Sequence, residues 1–238
     1  HQIPAAHDNL VWLFVCLASG AVAVVDGPDA ENALAYCEAR QLKLTHVLNT
    51  HTHADHVGVN RDLARRGMLQ GLEVIGPAKV RDQVPGITQP VDDRAQIEVG
   101  ACRARVFRIE GHIEGHIVFL FEDVLFSGDT LFTGGCGRVF TGDFAAMYTG
   151  LARLRELPGE TRICCAHEYT LDNLQFALSV EPNNEALRAR AANVSARRAE
   201  GRSVVPSLLS EERATNPMLR WDSEELQQEL SRQQPGVD

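Results

Sequence analysis

Three histidines and an aspartate lie within six positions of one another in the segment THTHADHVGVN, residues 50–60. They are His51, His53, Asp55 and His56. Imidazole and carboxylate groups are costly to bury or crowd together unless something binds them. The spacing therefore favours a metal site, and the alternative interpretation is a polar turn exposed to solvent.

Other histidines and aspartates also follow predicted strands. His112 and His116 lie in RIEGHIEGHIVFLF, between one strand and the next. Asp129 follows the strand of VLFSGDTLF, and His167 follows the strand of TRICCAH. Loops at strand ends are where a rigid sheet presents functional side chains, although an isolated aspartate there is most often a turn residue. We expect the histidines and the aspartate of THTHADH to occupy such a loop as well.

These segments offer more ligands than a single tetrahedral ion needs. The seven candidates are His51, His53, Asp55, His56, His112, Asp129 and His167. Seven ligands favour two ions bridged by a carboxylate, and a pair of ions about 3.5–4 Å apart is suited to hydrolysis of a carbonyl or phosphoryl compound. Imidazole and carboxylate ligands suit zinc, iron or manganese, and the sequence does not choose among these metals. We expect His116 to pack beside the site, because the ligand count is met without it.

The elements that must position these residues fall into two parts. Up to residue 170, apolar runs such as GAVAVVD and IVFLFED predict strands, and stretches such as FAAMYTGLARLREL predict helices. Strands that follow one another without an intervening helix favour sheets packed between helices. Beyond residue 170, LDNLQFALSVE, NEALRARAANVSARRAEG and SEELQQELSRQQ predict helices. We therefore predict a mixed α/β domain at residues 1–170 and a small helical domain at residues 171–238.

Composition argues against several classes of protein. The formal net charge of −9 disfavours a surface that binds nucleic acid, which requires a basic patch. No stretch approaches the roughly 18 apolar residues that cross a membrane, so we expect no membrane partner and a cytoplasmic protein. The cysteines are scattered and are predicted to be reduced core residues: Cys16, Cys37, Cys102, Cys136, Cys164 and Cys165. Nothing in the sequence demands more than a monomer.

The motifs THTHADH, GHIEGH, GDTLF and AHEYT together resemble the metallo-β-lactamase superfamily, whose core motif is H-x-H-x-D-H. SGDTLFTGGCGRVF and CCAHEYTLDNLQFALSVEPNN more specifically resemble the glyoxalase II family, the hydroxyacylglutathione hydrolases. IPAAHDNLVWLF and NPMLR match that family near the two ends of the chain. The resemblance implies a four-layer αββα sandwich followed by a small α-helical C-terminal domain. It also implies that residues 1–170 form a metallo-β-lactamase-like catalytic domain and that the helical domain at residues 171–238 binds substrate.

The resemblance also implies roles for the ligands. One ion would be held by His51, His53 and His112, and the other by Asp55, His56 and His167, with Asp129 bridging them. A hydroxide shared by the two ions would attack the thioester carbon of S-D-lactoylglutathione, a glutathione thioester, giving D-lactate and glutathione. The catalytic candidates are then Asp55, which could orient the hydroxide, and Asp129. The ions would be two divalent metals, with zinc the first choice.

Substrate contacts are implied at Arg138, Phe140, Tyr169 and Arg220. An arginine matches the geometry of a glutathione carboxylate. Phe140 keeps the ring of the tyrosine usual in the family but lacks its hydroxyl, and Ile113 stands where a threonine is usual. The stretch WDSEE after Arg220 is acidic where some members carry positive charge. These departures predict weaker binding of glutathione or a different preferred thiol.

Four alternatives remain open at this stage. A lactone or β-lactam hydrolase of the same superfamily would use the same ions with a different pocket. A single-iron persulfide dioxygenase would use two histidines and one carboxylate, which leaves part of the seven-residue set unexplained. A nuclease would need a phosphate-binding surface, against the acidic balance. A non-enzymatic binding module would retain a full ligand set without turnover.

Overall fold

Two six-stranded sheets lie face to face in the computed structural model, which describes residues 1–233. In spatial order, the first sheet consists of β1 (Gln2–Ala5), β2 (Asn9–Val15), β3 (Val22–Val25), β4 (His46–Leu48), β5 (Glu73–Pro77) and β6 (Gln89–Val91). The first three strands are antiparallel neighbours, and β3 to β6 run parallel. All four residues of β3 are buried, as expected of a strand covered on both faces.

The second sheet is mainly antiparallel. In spatial order, it consists of β14 (Ser207–Leu208), β13 (Arg162–Cys165), β10 (Val124–Gly128), β9 (Ile117–Phe121), β8 (Cys102–Arg108) and β7 (Gln96–Val99). Within it, β10 and β13 pair in parallel, so their carboxyl ends lie at the same edge. A separate small hairpin is formed by β11 (Leu131–Phe132) and β12 (Gly135–Cys136).

Helices cover the outer face of each sheet. The α-helices are α1 (Glu31–Ala39), α2 (Ala54–Arg65), α3 (Phe144–Arg155), α4 (Thr170–Val180), α5 (Glu185–Ala199), α6 (Leu209–Thr215) and α7 (Glu224–Gln233), and the 3-10 helices are η1 (Ala78–Gln83) and η2 (Pro217–Leu219). Helices α1 and α2 share a buried cluster with the first sheet, and α3 shares one with the second. This order of layers confirms the predicted αββα sandwich.

The main core lies between the two sheets. Trp12 and Leu48 of the first sheet are buried in the same cluster as Val106 and Phe119 of the second. These side chains come from alternate positions of strands whose other faces contact the helices. The two sheets therefore form a rigid double layer that can hold side chains at its edges with little freedom.

Backbone hydrogen bonds join the sheets at one end of the sandwich. Leu10 N donates to Ala166 O at 2.7 Å, and Ile117 N donates to Thr50 O at 2.9 Å. Strands β3, β4, β8, β10 and β13 finish at this end, and β2 begins there. We call this the joined end, and it gathers loops from both sheets.

The chain after residue 170 is largely helical, as predicted. Its two-residue strand β14, which was not predicted, extends the second sheet by pairing with β13. The division at residues 170 and 171 therefore stays a prediction, and residues 234–238 of the predicted helical domain lie outside the described part of the chain. Among residues 1–233, no helix combines the length and the apolar character needed to cross a membrane.

Candidate metal centre

The joined end places all seven predicted ligands close together. Two sets of ligand atoms each lie within 4.8 Å of one another. The first set is His51, His53, His112 and Asp129, and the second is Asp55, His56 and His167. Both sets draw on loops from the two sheets, so the centre depends on the sandwich being closed at this end.

The segment after β4 contains the first four predicted ligands. The prediction that all four lie in a loop is wrong, because a helix begins within the segment. His53 is the residue before α2, so Asp55 and His56 lie in the first turn of a helix. Gly58 makes this possible, because a Cβ there would lie 2.0 Å from Pro28 O. The helix thus packs directly against the loop that follows β3.

In the first set, two imidazoles face one oxygen of Asp129, and the third lies against those two. His112 Nε2 lies 3.4 Å and His51 Nε2 3.9 Å from Asp129 Oδ2. His53 Nδ1 lies 3.1 Å from His51 Nε2 and 3.0 Å from His112 Nε2. His112 is oriented by the backbone, because its Nδ1 lies 2.8 Å from Arg138 O and can donate to that carbonyl.

In the second set, the histidines face the other oxygen of Asp129. His56 Nε2 lies 3.4 Å and His167 Nε2 3.5 Å from Asp129 Oδ1. Asp55 Oδ2 lies 3.3 Å from His167 Nε2 and 3.7 Å from His56 Nε2. Asp129 thus offers one carboxylate oxygen to each set, which is the arrangement required of a bridging ligand.

Three buried atoms at the centre have no hydrogen-bond partner within the described residues. They are His56 Nδ1, which lies 3.1 Å from Asp26 Oδ2, and His56 Nε2 and Asp129 Oδ1, which lie 3.4 Å apart. Leaving such atoms unpaired in the interior costs about 1–3 kcal/mol each, so their position calls for a bound group. A donor set of imidazole nitrogens and carboxylate oxygens fits divalent ions such as zinc, iron or manganese. The residues therefore fit a pair of metal ions.

The electrostatics of the centre favour neutral imidazoles in one set and carboxylates throughout. Burial, reinforced by the neighbouring histidines, places the pKa of His51 well below its usual value. Burial opposes the charged forms of His56 and Asp129 too, but their mutual attraction prevails: the pKa of His56 is raised, and that of Asp129 falls to about 2. The hydrogen bond with His167 is the main cause that lowers the pKa of Asp55. Both carboxylates are thus ionised and able to bind cations.

His116 packs beneath the ligands and is absent from both sets. Asp129 N donates to His116 Nε2 at 3.1 Å, so the ring proton is assigned to Nδ1, which lies 3.1 Å from Thr130 Oγ1. Burial also holds the pKa of His116 well below its usual value. A neutral His116 therefore fixes the backbone of Asp129, consistent with the packing role expected of it.

Three residues that support the ligands were not predicted. Asp8 Oδ1 lies 2.8 Å from His167 Nδ1, and Asn9 Nδ2 donates to Asp55 Oδ2 at 3.0 Å. Asp26 Oδ2 lies 3.1 Å from His56 Nδ1. These contacts orient the second set of ligands, as outer-sphere carboxylates do at many metal sites.

Asp26 could have been found from the sequence. It ends the apolar run GAVAVVD, just as Asp129 ends VLFSGD, and an aspartate at that position is the same signal. It also adopts a left-handed φ of 53° while accepting hydrogen bonds from Thr50 N and Thr50 Oγ1. Asp8 and Asn9 carry no such signal, because Asp8 precedes β2 and Asn9 is its first residue, and Asn9 meets His167 through an antiparallel bridge.

Three of the four predicted substrate residues border the centre. The Phe140 ring is 58% exposed, with its centroid 5.3 Å from that of His112. Arg138 is exposed, and its guanidinium lies over the Phe140 ring at 5.1 Å. Tyr169 stacks on His167, with ring centroids 4.9 Å apart. An arginine and two aromatic rings thus surround the exposed side of the ligands.

Arg220 has a different partner. Its Nε and Nη2 donate to Glu181, a fully buried residue at the end of α4, at 2.9–3.0 Å. Its Nη1 donates to Arg213 O at 3.3 Å. The guanidinium is therefore engaged within the C-terminal helices, and this pairing does not support the predicted substrate contact.

The αββα sandwich and its two sets of candidate metal ligands are those of a metal-dependent hydrolase of the metallo-β-lactamase superfamily. The family model for that superfamily matches residues 9–75. The model described as the hydroxyacylglutathione hydrolase C-terminus matches residues 168–238. A hydroxyacylglutathione hydrolase of Methylococcus capsulatus is 48% identical over 238 residues, covering 99% of this chain and 91% of that protein. The chain belongs to the hydroxyacylglutathione hydrolase family.

Solved structures agree on the fold. ETHE1 from Myxococcus xanthus superposes with a TM-score of 0.68 at 22% identity, covering 100% of this chain and 91% of that one. TTHA1623, solved in a di-iron-bound form, has a TM-score of 0.59 at 25% identity and covers 70% of this chain and 90% of its own. The similarity to ETHE1 concerns the fold alone, and it confirms the architecture predicted from the sequence.

Proposed function

We propose that this protein hydrolyses S-D-lactoylglutathione to D-lactate and glutathione with two divalent ions, zinc first and iron or manganese as alternatives. The position of Asp129 between the two ligand sets carries the proposal, because each carboxylate oxygen faces a different set of histidines. The name of the Methylococcus capsulatus relative supports the substrate class. The di-iron form of TTHA1623 supports a pair of ions.

The protein's own groups divide the work of binding and orientation. When bound, two ions would lower the pKa of water and polarise the thioester carbonyl. Asp129 would fix the separation between the two sets. Asp55 makes its contacts with Asn9 and the two histidines through Oδ2. We propose that its Oδ1 accepts a hydrogen bond from the attacking water.

The residues around the centre fit a peptide thioester. We propose that Arg138 binds a carboxylate of the glutathione moiety through paired N–H groups. Phe140 and Tyr169 would flank the thioester, one beside each ligand set. Arg220 is left out of this site, because its donors already bind Glu181.

A hydrolysis panel tests the substrate. Protein loaded with zinc, and separately with iron or manganese, is assayed on S-D-lactoylglutathione, another acyl thioester, a lactone and a β-lactam. We expect the glutathione thioester to give the highest kcat/KM. Turnover confined to the lactone or β-lactam would reject the thioesterase. Elemental analysis should find two metal equivalents per chain, whereas a single tightly held iron would favour the dioxygenase.

The bridging role has its own test. Asp129→Asn removes the charge shared by both ligand sets, so we expect hydrolysis to fall by more than about 100-fold and metal content to drop below two equivalents. Asp123→Asn is the matched control, since Asp123 is half-buried just before β10, the strand that Asp129 follows, and pairs with Arg162. Near-normal activity in Asp129→Asn would remove this residue from the bridge.

Two further expectations belong to the proposal. The six cysteines are free, which supports a reducing compartment such as the cytoplasm. All seven proposed ligands come from one chain, so the centre requires no partner subunit, and we propose a monomer. Light scattering coupled to size-exclusion chromatography measures the oligomeric state directly.

A further inference from the structure

Two thiols meet at the end of the sandwich opposite the metal centre. Cys16 directly follows β2 in the first sheet, and Cys102 begins β8 in the second. Their sulfur atoms are 2.8 Å apart, with Cys102 Sγ donating to Cys16 Sγ, and both cysteines are free. A disulfide has a sulfur separation of about 2.05 Å, so a small approach would bring the two atoms to bonding distance.

Two tight turns hold this pair in place. The turn after Cys16 packs against the β7–β8 turn so closely that a Cβ on Gly100 would lie 1.9 Å from Ser19 Oγ. Ala101 N also donates to Ser19 Oγ at 3.4 Å. Because each turn belongs to a different sheet, the thiols are neighbours through the packing of the whole sandwich.

The two sulfurs differ in acidity and in access. The hydrogen bond from Cys102 is the main cause that lowers the pKa of Cys16 to about 6, and the same bond raises that of Cys102 to about 11. The pair therefore carries one negative charge and one shared proton near neutral pH. Cys16 is fully buried, whereas Cys102 is half-buried, so a small oxidant would reach the pair from the Cys102 side.

We propose that Cys16 and Cys102 form a redox-reversible modification site, at which a peroxide converts the two thiols into a disulfide that joins the two sheets. The shared proton first moves to Cys16, and the Cys102 thiolate attacks one oxygen of hydrogen peroxide. The O–O bond breaks, which leaves a sulfenic acid on Cys102 and hydroxide. Cys16 then gives its proton to that hydroxide and attacks the Cys102 sulfur. The S–O bond breaks, and the departing hydroxide gains a proton from solvent.

The balance of this reaction is complete. One thiol, one thiolate, one proton from solvent and one hydrogen peroxide give one disulfide and two waters. The two sulfur atoms lose two electrons, and the peroxide gains them. A thiol reductant reverses the reaction by exchange. No group of the metal centre takes part, because the seven residues of β2 place Cys16 roughly 20 Å along the strand from Asn9.

The disulfide would join the two sheets at an end where, among residues 1–233, no backbone hydrogen bond links them. The cysteines are 86 residues apart in sequence, so the bond would close a long loop in the unfolded chain. Long loops give the larger stabilisations by disulfides, and for a chain of this size we expect the thermal midpoint to rise by about 5–10 °C. Hydrolysis would continue in both redox states.

The test uses the full-length protein before and after a small molar excess of hydrogen peroxide. Remaining thiols are alkylated, and non-reducing peptide mapping by mass spectrometry identifies any cross-link. We expect one linked pair, Cys16 with Cys102, lighter by two hydrogen atoms and reversed by dithiothreitol. The rise in thermal midpoint should appear with the cross-link and disappear on reduction.

Two variants separate this pair from the other cysteines. Cys102→Ala, at the half-buried position, should abolish both the cross-link and the thermal shift. Cys136→Ala is the matched control, because Cys136 is also half-buried but burial alone raises its pKa to about 11. Alkylation of both Cys16 and Cys102 after peroxide treatment, or a linkage involving other cysteines, would overturn the proposal. The mapping of the unsubstituted protein decides the matter even if a variant fails to fold.

Discussion

Replacing Asp8 should weaken one metal site and spare the other. Asp8 Oδ1 lies 2.8 Å from His167 Nδ1, the nitrogen on the far side of the ring from Asp55 and Asp129. A carboxylate in that position fixes the ring and makes the opposite nitrogen a better ligand. Asp8→Ala removes both effects while leaving every proposed ligand in place. We therefore expect the ion bound by Asp55, His56 and His167 to be released more easily.

The size of the effect follows from exposure. Loss of an outer-sphere partner typically lowers metal affinity by 10- to 100-fold, which corresponds to about 1.4–2.7 kcal/mol. The side chain of Asp8 is 30% exposed, so water partly screens its charge and can partly replace it. The expected loss is therefore near the lower limit, about 10-fold, and it applies to one equivalent of two.

Competition with a chromophoric chelator measures the two equivalents separately. In Asp8→Ala, one release step should move to lower chelator concentration and the other should stay unchanged. The matched control is Glu73→Gln, which alters a carboxylate 3.3 Å from His46, a histidine outside the centre. Equal weakening of both equivalents, or no weakening of either, would refute the role assigned to Asp8.

Of two further substitutions, one tests a buried ion pair of the C-terminal segment and the other tests the surroundings of the centre. Glu212→Ala should lower stability by about 3–5 kcal/mol in chemical unfolding, because this fully buried carboxylate pairs with Arg190 and accepts from Gly134 N. The adjacent Glu211→Ala, at an exposed position, should change stability by less than about 1 kcal/mol, and similar losses in both would contradict the argument. Phe140→Tyr restores a hydroxyl beside the centre and should lower the KM for S-D-lactoylglutathione by about 2- to 10-fold, the value of one hydrogen bond. An unchanged KM would show that this ring does not contact the peptide.

The clustering of the candidate ligands was predictable because strand ends converge. His51, His112, Asp129 and His167 each follow a strand that runs towards the same end of the sandwich, and apolar runs in the sequence locate those strands. The layer order followed from strands in consecutive pairs and from the family resemblance. Both predictions depend on apolar runs in the sequence, which occur where a strand is buried.

The remaining features depend on contacts between distant segments. The start of α2 was mistaken for a loop because Gly58 and the clustered polar residues weaken the helical pattern, whereas close packing on Pro28 stabilises the helix. Arg220 was predicted to bind substrate, but Glu181, 39 residues away, engages its guanidinium. Asp8 reaches His167 across 159 residues. Such pairings are determined by tertiary structure, and no local sequence pattern indicates them.

The pairing of β14 with β13 has a consequence for any attempt to shorten the protein. Leu208 and Ser207 occupy the hydrogen-bonding edge of β13, the strand that leads to His167. A fragment ending at residue 170 would leave that edge bare, and an uncovered strand edge is a template for pairing with other molecules. The C-terminal segment thus covers an edge that could otherwise pair with other molecules. Exchange of this segment between relatives must therefore keep the backbone path of Ser207 and Leu208.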